Sequence, residues 1–153
     1  MSFGESKDIN SILVVCWANF CRSPVAEFIL KHKTDNALKI SSAGIMPMSL
    51  PNFDKRSQYF LEKNNIQFGL HLPKKVSNKL IDEHDVVLAF DPIILRELNK
   101  NFPKQRSKYK IFNYINKSLF VSDPFKYNDE QYDLVMNNIM ALSDLILKDI
   151  NEI

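Results

Sequence analysis

Apolar residues along this chain gather in short unbroken runs and in longer stretches with helical spacing, and the two kinds alternate. Ile12-Leu13-Val14-Val15 is an unbroken, β-branched-rich run, the pattern of a strand covered on both faces. It stops at Cys16, and five mixed residues follow. Ser23-Pro24 then offers a helix cap with proline in the first turn, where its missing N–H costs nothing, so Val25 to about Lys33 reads as helix. Lys39 to Ser42 is a second strand ending at Ala43-Gly44. Met46 to Phe53, holding Pro47 and Pro51, is a surface loop that could border a site.

A helix from about Asp54 to Asn64, with Tyr59, Phe60 and Leu61 as its apolar material, leads to a turn marked by Gly69. Asp85 to Phe90 is a further buried strand, and Asp91-Pro92 opens a helix carrying Ile93, Ile94, Leu98 and Phe102. Tyr109 to Phe112 is a fourth strand. From Asp129 onward Tyr132, Val135, Met136, Ile139, Leu142, Ile146 and Ile150 keep the three-and-four spacing of a long helix. This βαβα order predicts an α/β fold: a single-domain three-layer sandwich, a four-stranded parallel sheet with helices on both faces.

Composition narrows the class without naming a function. At 153 residues the chain can bury roughly two-thirds of its unfolded surface. Its 45% hydrophobic content and eleven phenylalanines describe an ordered globular domain. The formal net charge of +2 gives no electrostatic reason to expect a nucleic-acid partner. Charge is nonetheless uneven. Residues 96–110 hold six basic side chains and one acidic, and residues 129–153 six acidic and one basic, which reads first as a solvated surface. The opening MSFGESKDIN lacks the layout of a secretory signal and no apolar run could cross a bilayer, so a cytoplasmic protein without membrane insertion is expected. Two cysteines are too few for a disulfide scaffold, so their role is local.

The chemistry concentrates in Cys16-Trp17-Ala18-Asn19-Phe20-Cys21-Arg22-Ser23, between a core strand and a helix start. There a loop can curl its N–H groups inward, and the helix adds the positive end of its dipole at the same point. Arg22 contributes a forked, permanent cation suited to two phosphoryl oxygens. The same field favours thiolate at Cys16, a nucleophile that needs no histidine base. Asp123-Pro124 precedes the long terminal helix. Alone the pair reads as a turn; beside a phosphate loop it can supply the acid that protonates a leaving group. His32 and His84 have no ligand partners at metal spacing and read as surface or packing residues. Met46 and Met48 read as facing the exterior or lip of their loop, and Phe125 and Tyr127 either wall a substrate ring or pack.

VCWANFCRSPVAE resembles the phosphate-binding signature V-C-x-G-N-x-C-R-S-P-x-A-E of low-molecular-weight protein tyrosine phosphatases. SSAG at 41–44, DVVLAFD at 85–91 and SDPF at 122–125 carry the resemblance over nearly the whole chain, so 1–153 is expected to form one such domain. The resemblance implies Cys16 as nucleophile, Arg22 as phosphate clamp and Asp123 as general acid. Trp17, Ala18, Asn19, Phe20, Cys21 and Phe125 are expected around the substrate, and the resemblance implies Ser23, Ser42, His71 and Asp91 in support. Asn19 is expected to hold the loop's strained shape. No cofactor or metal is implied. The expected partner is a tyrosine-phosphorylated protein, with a tyrosine kinase as one candidate, and the expected assembly a monomer or weak dimer. A redox-protective Cys16–Cys21 disulfide is also implied, provided the loop brings their α-carbons within about 7 Å.

Three departures from the signature stand out. Ala18 occupies the family's glycine position, so a methyl group is expected to cost about 1 kcal/mol if that residue needs positive φ. Ile94 replaces a usual asparagine, and Trp17 a smaller apolar residue. Ala18 motivates one rival reading, a catalytically weak phosphoprotein-binding module. Phosphoarginine hydrolysis is another, set against by Phe20, where such relatives typically carry threonine. Arsenate reduction is a third, set against by the lack of further cysteines to relay oxidation.

Overall fold

The structure, a computed structural model, describes residues 8–151; the earliest part of the polar lead and the last two residues lie outside it. Strand β1 (Ser11–Cys16) is buried at all six positions and β3 (Val86–Ala89) at all four, which is why both read as unbroken apolar runs. β2 (Lys39–Gly44) and β4 (Tyr109–Ile111) flank them in the order β2-β1-β3-β4, every pair parallel. The edges are blunted: β2 begins at an exposed lysine and β4 has three residues.

Helices α1 (Arg22–Lys33), α2 (Lys55–Lys63) and α5 (Asp129–Asn151) pack on one another, while α4 (Pro92–Asn101) lies against β3 and β4. Helices cover both faces of the sheet, giving the α/β sandwich expected. Every residue named for the apolar stripe of α5 is buried. On α2, Phe60 and Leu61 are buried, but Tyr59 is 64% exposed because it falls on the opposite side of the helix. The chain leaves β1 for β2 on one side and returns to β3 on the other. The crevice beyond the carboxyl end of β1 is therefore the topological switch point, where doubly wound sheets bind ligands.

Local expectations failed where a side chain had another task or an element was short. Ser23 is not the cap of α1: the helix starts at Arg22, its flanking residue is Cys21, and no side chain caps it. The Ser23 hydroxyl is turned into the cysteine loop instead. Gly69 makes no tight turn; the reversal after α2 is carried by Asn65 in the left-handed region, φ 57°. Helix α3 (Asn78–Asp82), capped by Ser77, and a 3-10 segment (Pro103–Lys108) were not foreseen, being too short to show a period.

Gly44 ends β2 opposite Cys16 and has no left-handed φ; what it supplies is closeness. A Cβ there would lie 2.8 Å from the Asn19 amide nitrogen and the Trp17 carbonyl oxygen and 2.9 Å from the Ala18 carbonyl carbon. All three are backbone atoms, so the loop itself must move. Gly44→Ala is expected to cost about 1–3 kcal/mol in urea unfolding. It is also expected to weaken inorganic phosphate binding, and an unchanged phosphate affinity would show that the loop does not depend on this contact.

Candidate active site

The loop from Cys16 to Arg22 is held open by its own carbonyls. Cys16, Trp17 and Ala18 oxygens accept from the amides of Ile45, Met46 and Met48, and the Phe20 oxygen from that of Asp54. The Asn19 oxygen accepts from His71 Nε2 and the Cys21 oxygen from the Ser57 hydroxyl. Six consecutive carbonyls thus point away from the loop's interior, and among the described residues no protein acceptor takes the amides of residues 17–21. Helix α1 begins beside them with its first-turn donors uncapped, so unsatisfied N–H groups and a helix N-terminus converge near Cys16.

This shape requires a left-handed residue, and it falls on Asn19, φ 53°, fully buried. Ala18 is not among the residues with positive φ, so the strain expected from its methyl group is absent. Asparagine tolerates this region better than most residues, and the bonds around it hold it there. Its Nδ2 donates to Ser23 Oγ (2.8 Å) and Ser42 Oγ (3.0 Å), and its Oδ1 accepts the Lys74 amide (3.0 Å).

The serines extend this cluster to the sulfur. Ser42 donates to Glu27 Oε1, whose other oxygen takes Lys31 Nζ at 2.6 Å. Glu27 can only accept and the Asn19 amide nitrogen only donate, so Ser23 Oγ receives from Asn19 and its own proton is free for Cys16 Sγ, 2.9 Å away. Behind the loop, Arg22 is 1% exposed. Its Nη1 bonds Asp91 Oδ2 and the Val121 carbonyl, each at 2.9 Å, and its carbon centre lies 5.5 Å from the Phe90 ring. The other Asp91 oxygen caps α4 through the Ile94 amide (3.0 Å). Nε and Nη2 of Arg22 have no protein acceptor among the described residues and remain for a ligand.

Asp123 is exposed, on the loop before α5, and its Oδ1 accepts the Phe125 amide at 3.1 Å. A cavity of about 150 Å³ brings Cys16, Arg22 and Asp123 together, walled by Trp17, Phe20, Met48 and Phe125. Phe20 and Phe125 meet edge to face, centroids 6.3 Å apart. Two larger cavities, about 380 and 240 Å³, do not reach Cys16. Among the described residues no three His, Cys, Asp or Glu side chains are grouped to ligate a metal. Both cysteines are free thiols; burial pushes the Cys21 thiol well above its usual range, and its Sγ lies 3.7 Å from Asp54 Oδ2.

The residues picked out by sequence thus lie either around this cavity (Trp17, Ala18, Phe20, Cys21 and Phe125 beside the central three) or behind it (Asn19, Ser23, Ser42, His71 and Asp91). Not foreseen were Glu27, the backbone approach at Gly44, and Asp54 with Arg56, whereas Met48 lines the cavity from the loop expected to border a site. Glu27 stood in the quoted motif, and Asp54 already marked a helix start. Gly44 closed the quoted SSAG motif, and Arg56 gave no signal, because what it does depends on approach in space.

A strand-to-helix anion loop with cysteine at one end and arginine at the other, facing an aspartate, defines a phosphate-ester enzyme of the cysteine-nucleophile class. The profile of "Low molecular weight phosphotyrosine protein phosphatase" matches residues 11–152, and the chain belongs to that family. It is 30% identical to the low molecular weight protein-tyrosine-phosphatase Ptp of Acinetobacter johnsonii over 80% of this chain and 85% of that one. With Wzb of Escherichia coli K12 it shares 27% over 82% and 85%. Among solved structures, Wzb of Escherichia coli K30 in complex with sulphate superposes with a TM-score of 0.85 at 28% identity, covering 92% of this chain and 97% of that one. The YwlE arginine phosphatase of Geobacillus stearothermophilus shares the fold, with a TM-score of 0.81 at 24% identity over 93% and 94%. Family, fold and the Cys/Arg/Asp arrangement agree with phosphotyrosine hydrolysis through a phosphocysteine.

Desolvation lowers the pKa of both His71 and His84 from the ordinary 6.5, each opposed by a bond to a backbone carbonyl. A histidine pKa depressed in the native state means that the unfolded chain binds more protons as pH falls. Stability is therefore full above about pH 6.5 and is lost as pH drops below it. The urea midpoint is expected to be lower at about pH 5.5 than at about pH 7.5, and His71→Gln to shrink that difference, leaving the part due to His84. A pH difference untouched by His71→Gln would remove His71 from this account.

Proposed function

We propose that the protein hydrolyses phosphotyrosine in cytoplasmic proteins through a phosphocysteine on Cys16. The observation that carries this reading is the ring of outward-turned carbonyls, which leaves the loop amides beside Cys16 and the uncommitted edge of Arg22 for three phosphoryl oxygens. Cys16 sulfur, as thiolate beside the Ser23 hydroxyl, attacks phosphorus opposite the tyrosyl oxygen. The S–P bond forms as the P–O bond breaks, and Asp123 gives its proton to the departing phenolate. Water then attacks the phosphocysteine, Asp123 takes the proton, the S–P bond breaks, and inorganic phosphate and the thiolate result. The sulphate in the Escherichia coli K30 Wzb structure supports an oxyanion as ligand.

The aromatic walls favour a phenyl ring over an aliphatic side chain. Trp17, Phe20 and Phe125 present apolar faces to a planar leaving group. The fold is shared with an arginine phosphatase and so does not choose between these substrates; Phe20 and Phe125 support tyrosine. A tyrosine kinase bearing phosphotyrosine is a fitting substrate, and no helix among the described residues is long and apolar enough to cross a membrane. The protein works in this reading as a monomer or weak dimer, without metal or cofactor.

Cys16→Ser is expected to abolish turnover, and Asp123→Asn to lower kcat/KM for a phosphotyrosine peptide about 10²-fold. Labelled phosphate should be trapped on Cys16 during turnover and absent from Cys16→Ser. Parallel assays of phosphotyrosine, phosphoserine and phosphoarginine peptides should favour the first; faster hydrolysis of either other peptide overturns the substrate assignment.

A further inference from the structure

Arg56 lies at the start of α2, and its guanidinium is committed on every edge. Nε and Nη2 fork onto Asp54 Oδ1 (3.2 Å) and Oδ2 (3.1 Å), Nη1 donates to the Tyr127 carbonyl (3.0 Å), and Nη2 also donates to the Phe125 carbonyl (2.9 Å). Its flat face rests on the Tyr132 ring at 4.1 Å, which fixes the plane of the fork. Asp54 in turn belongs to the back of the cysteine loop: its amide donates to the Phe20 carbonyl at 3.0 Å, and its Oδ2 receives the Cys21 thiol. One arginine therefore joins the segment supporting the nucleophile loop to the segment 125–127.

That second segment carries Asp123. The Asp123 carboxylate accepts the Phe125 amide, and the Phe125 carbonyl is held by Arg56, so both faces of one residue connect the acid to the guanidinium. Of the other ties on this stretch, the Ser122–Tyr127 hydroxyl pair (2.9 Å) and the Tyr127 amide on the Pro124 carbonyl (2.9 Å) stay within it, while the Phe20–Phe125 ring contact and the Arg22 bond to the Val121 carbonyl reach the cysteine loop but leave the carbonyls of Phe125 and Tyr127 to Arg56. From this geometry we infer that Arg56 is a positioning residue for the general acid, setting Asp123 over the Cys16 cavity through the backbone of 125–127. The inference rests on Asp123 acting as the acid. A lysine keeps the charge, but its single ammonium cannot hold a carboxylate fork and two carbonyls together.

A loosened acid matters only when the leaving group needs a proton, so the test is a series of aryl phosphates from nitro-substituted phenols to phenol itself. In Arg56→Lys and Arg56→Met, kcat/KM is expected to fall about tenfold for phenyl phosphate and less than about twofold for nitrophenyl phosphate. The Kd of inorganic phosphate should stay at the wild-type value in both, which shows a folded anion loop; Arg56→Lys serves where Arg56→Met does not fold. Asp123→Asn should lose about a hundredfold on phenyl phosphate, and adding Arg56→Met to it should cost no more, because the positioned group is already gone. A loss uniform across the series, no loss, or an additive loss in the double variant overturns the positioning role while leaving the general acid standing. An Asp123→Asn profile without leaving-group dependence instead removes the general acid itself, and the role of Arg56 with it.

Discussion

A loop that must present its amides to an anion has to send its carbonyls elsewhere, and the surrounding chain is arranged around that requirement. Backbone amides at 45, 46, 48 and 54, His71 and Ser57 each accept the task of satisfying one carbonyl between Cys16 and Cys21. A buried carbonyl without a donor costs about 1–3 kcal/mol, so losing several of these partners would turn the loop inside out. The left-handed Asn19 is the hinge of the arrangement, and its amide, held by two serines and a lysine amide, keeps it from relaxing.

Two charged groups meet a related need behind the loop. Arg22 is buried and so must be paired, yet it must also keep donors for a ligand. Asp91 and the Val121 carbonyl reconcile these by both taking Nη1. Removing Asp91, which is itself partly exposed, would leave the buried guanidinium without its counter-charge. Asp91 is itself fixed by capping α4, so the direction of the guanidinium is set by a helix start sixty-nine positions away in sequence.

Much of this was legible in the order of residues, for identifiable reasons. β1 and β3 are buried on both faces and so spell unbroken apolar runs, and α5 keeps one face on the core over its whole length. The cysteine loop was legible because its residue types are chemically demanding at fixed spacing. What escaped depends on distance in space. Gly44 is required by the approach of another segment's backbone, with no unusual φ of its own. Arg56 belongs to no motif, and its role arises only because the fold brings carbonyls 125 and 127 to it. Ser23 looked like a cap because serine before proline usually is one. Here its hydroxyl goes to sulfur, and the helix end that it leaves bare is part of the anion site.

The donors that hold the cysteine loop's carbonyls are drawn from the middle of the chain, and Arg22 is pinned by a carbonyl ninety-nine positions downstream. No fragment shorter than most of the protein contains all of them. The anion cradle therefore comes into being in the same cooperative step as the core, and a partly folded molecule has no weaker version of it. Turnover is in this sense a count of fully assembled molecules, and a nascent chain stays inert toward phosphoproteins until nearly its whole length is available to fold.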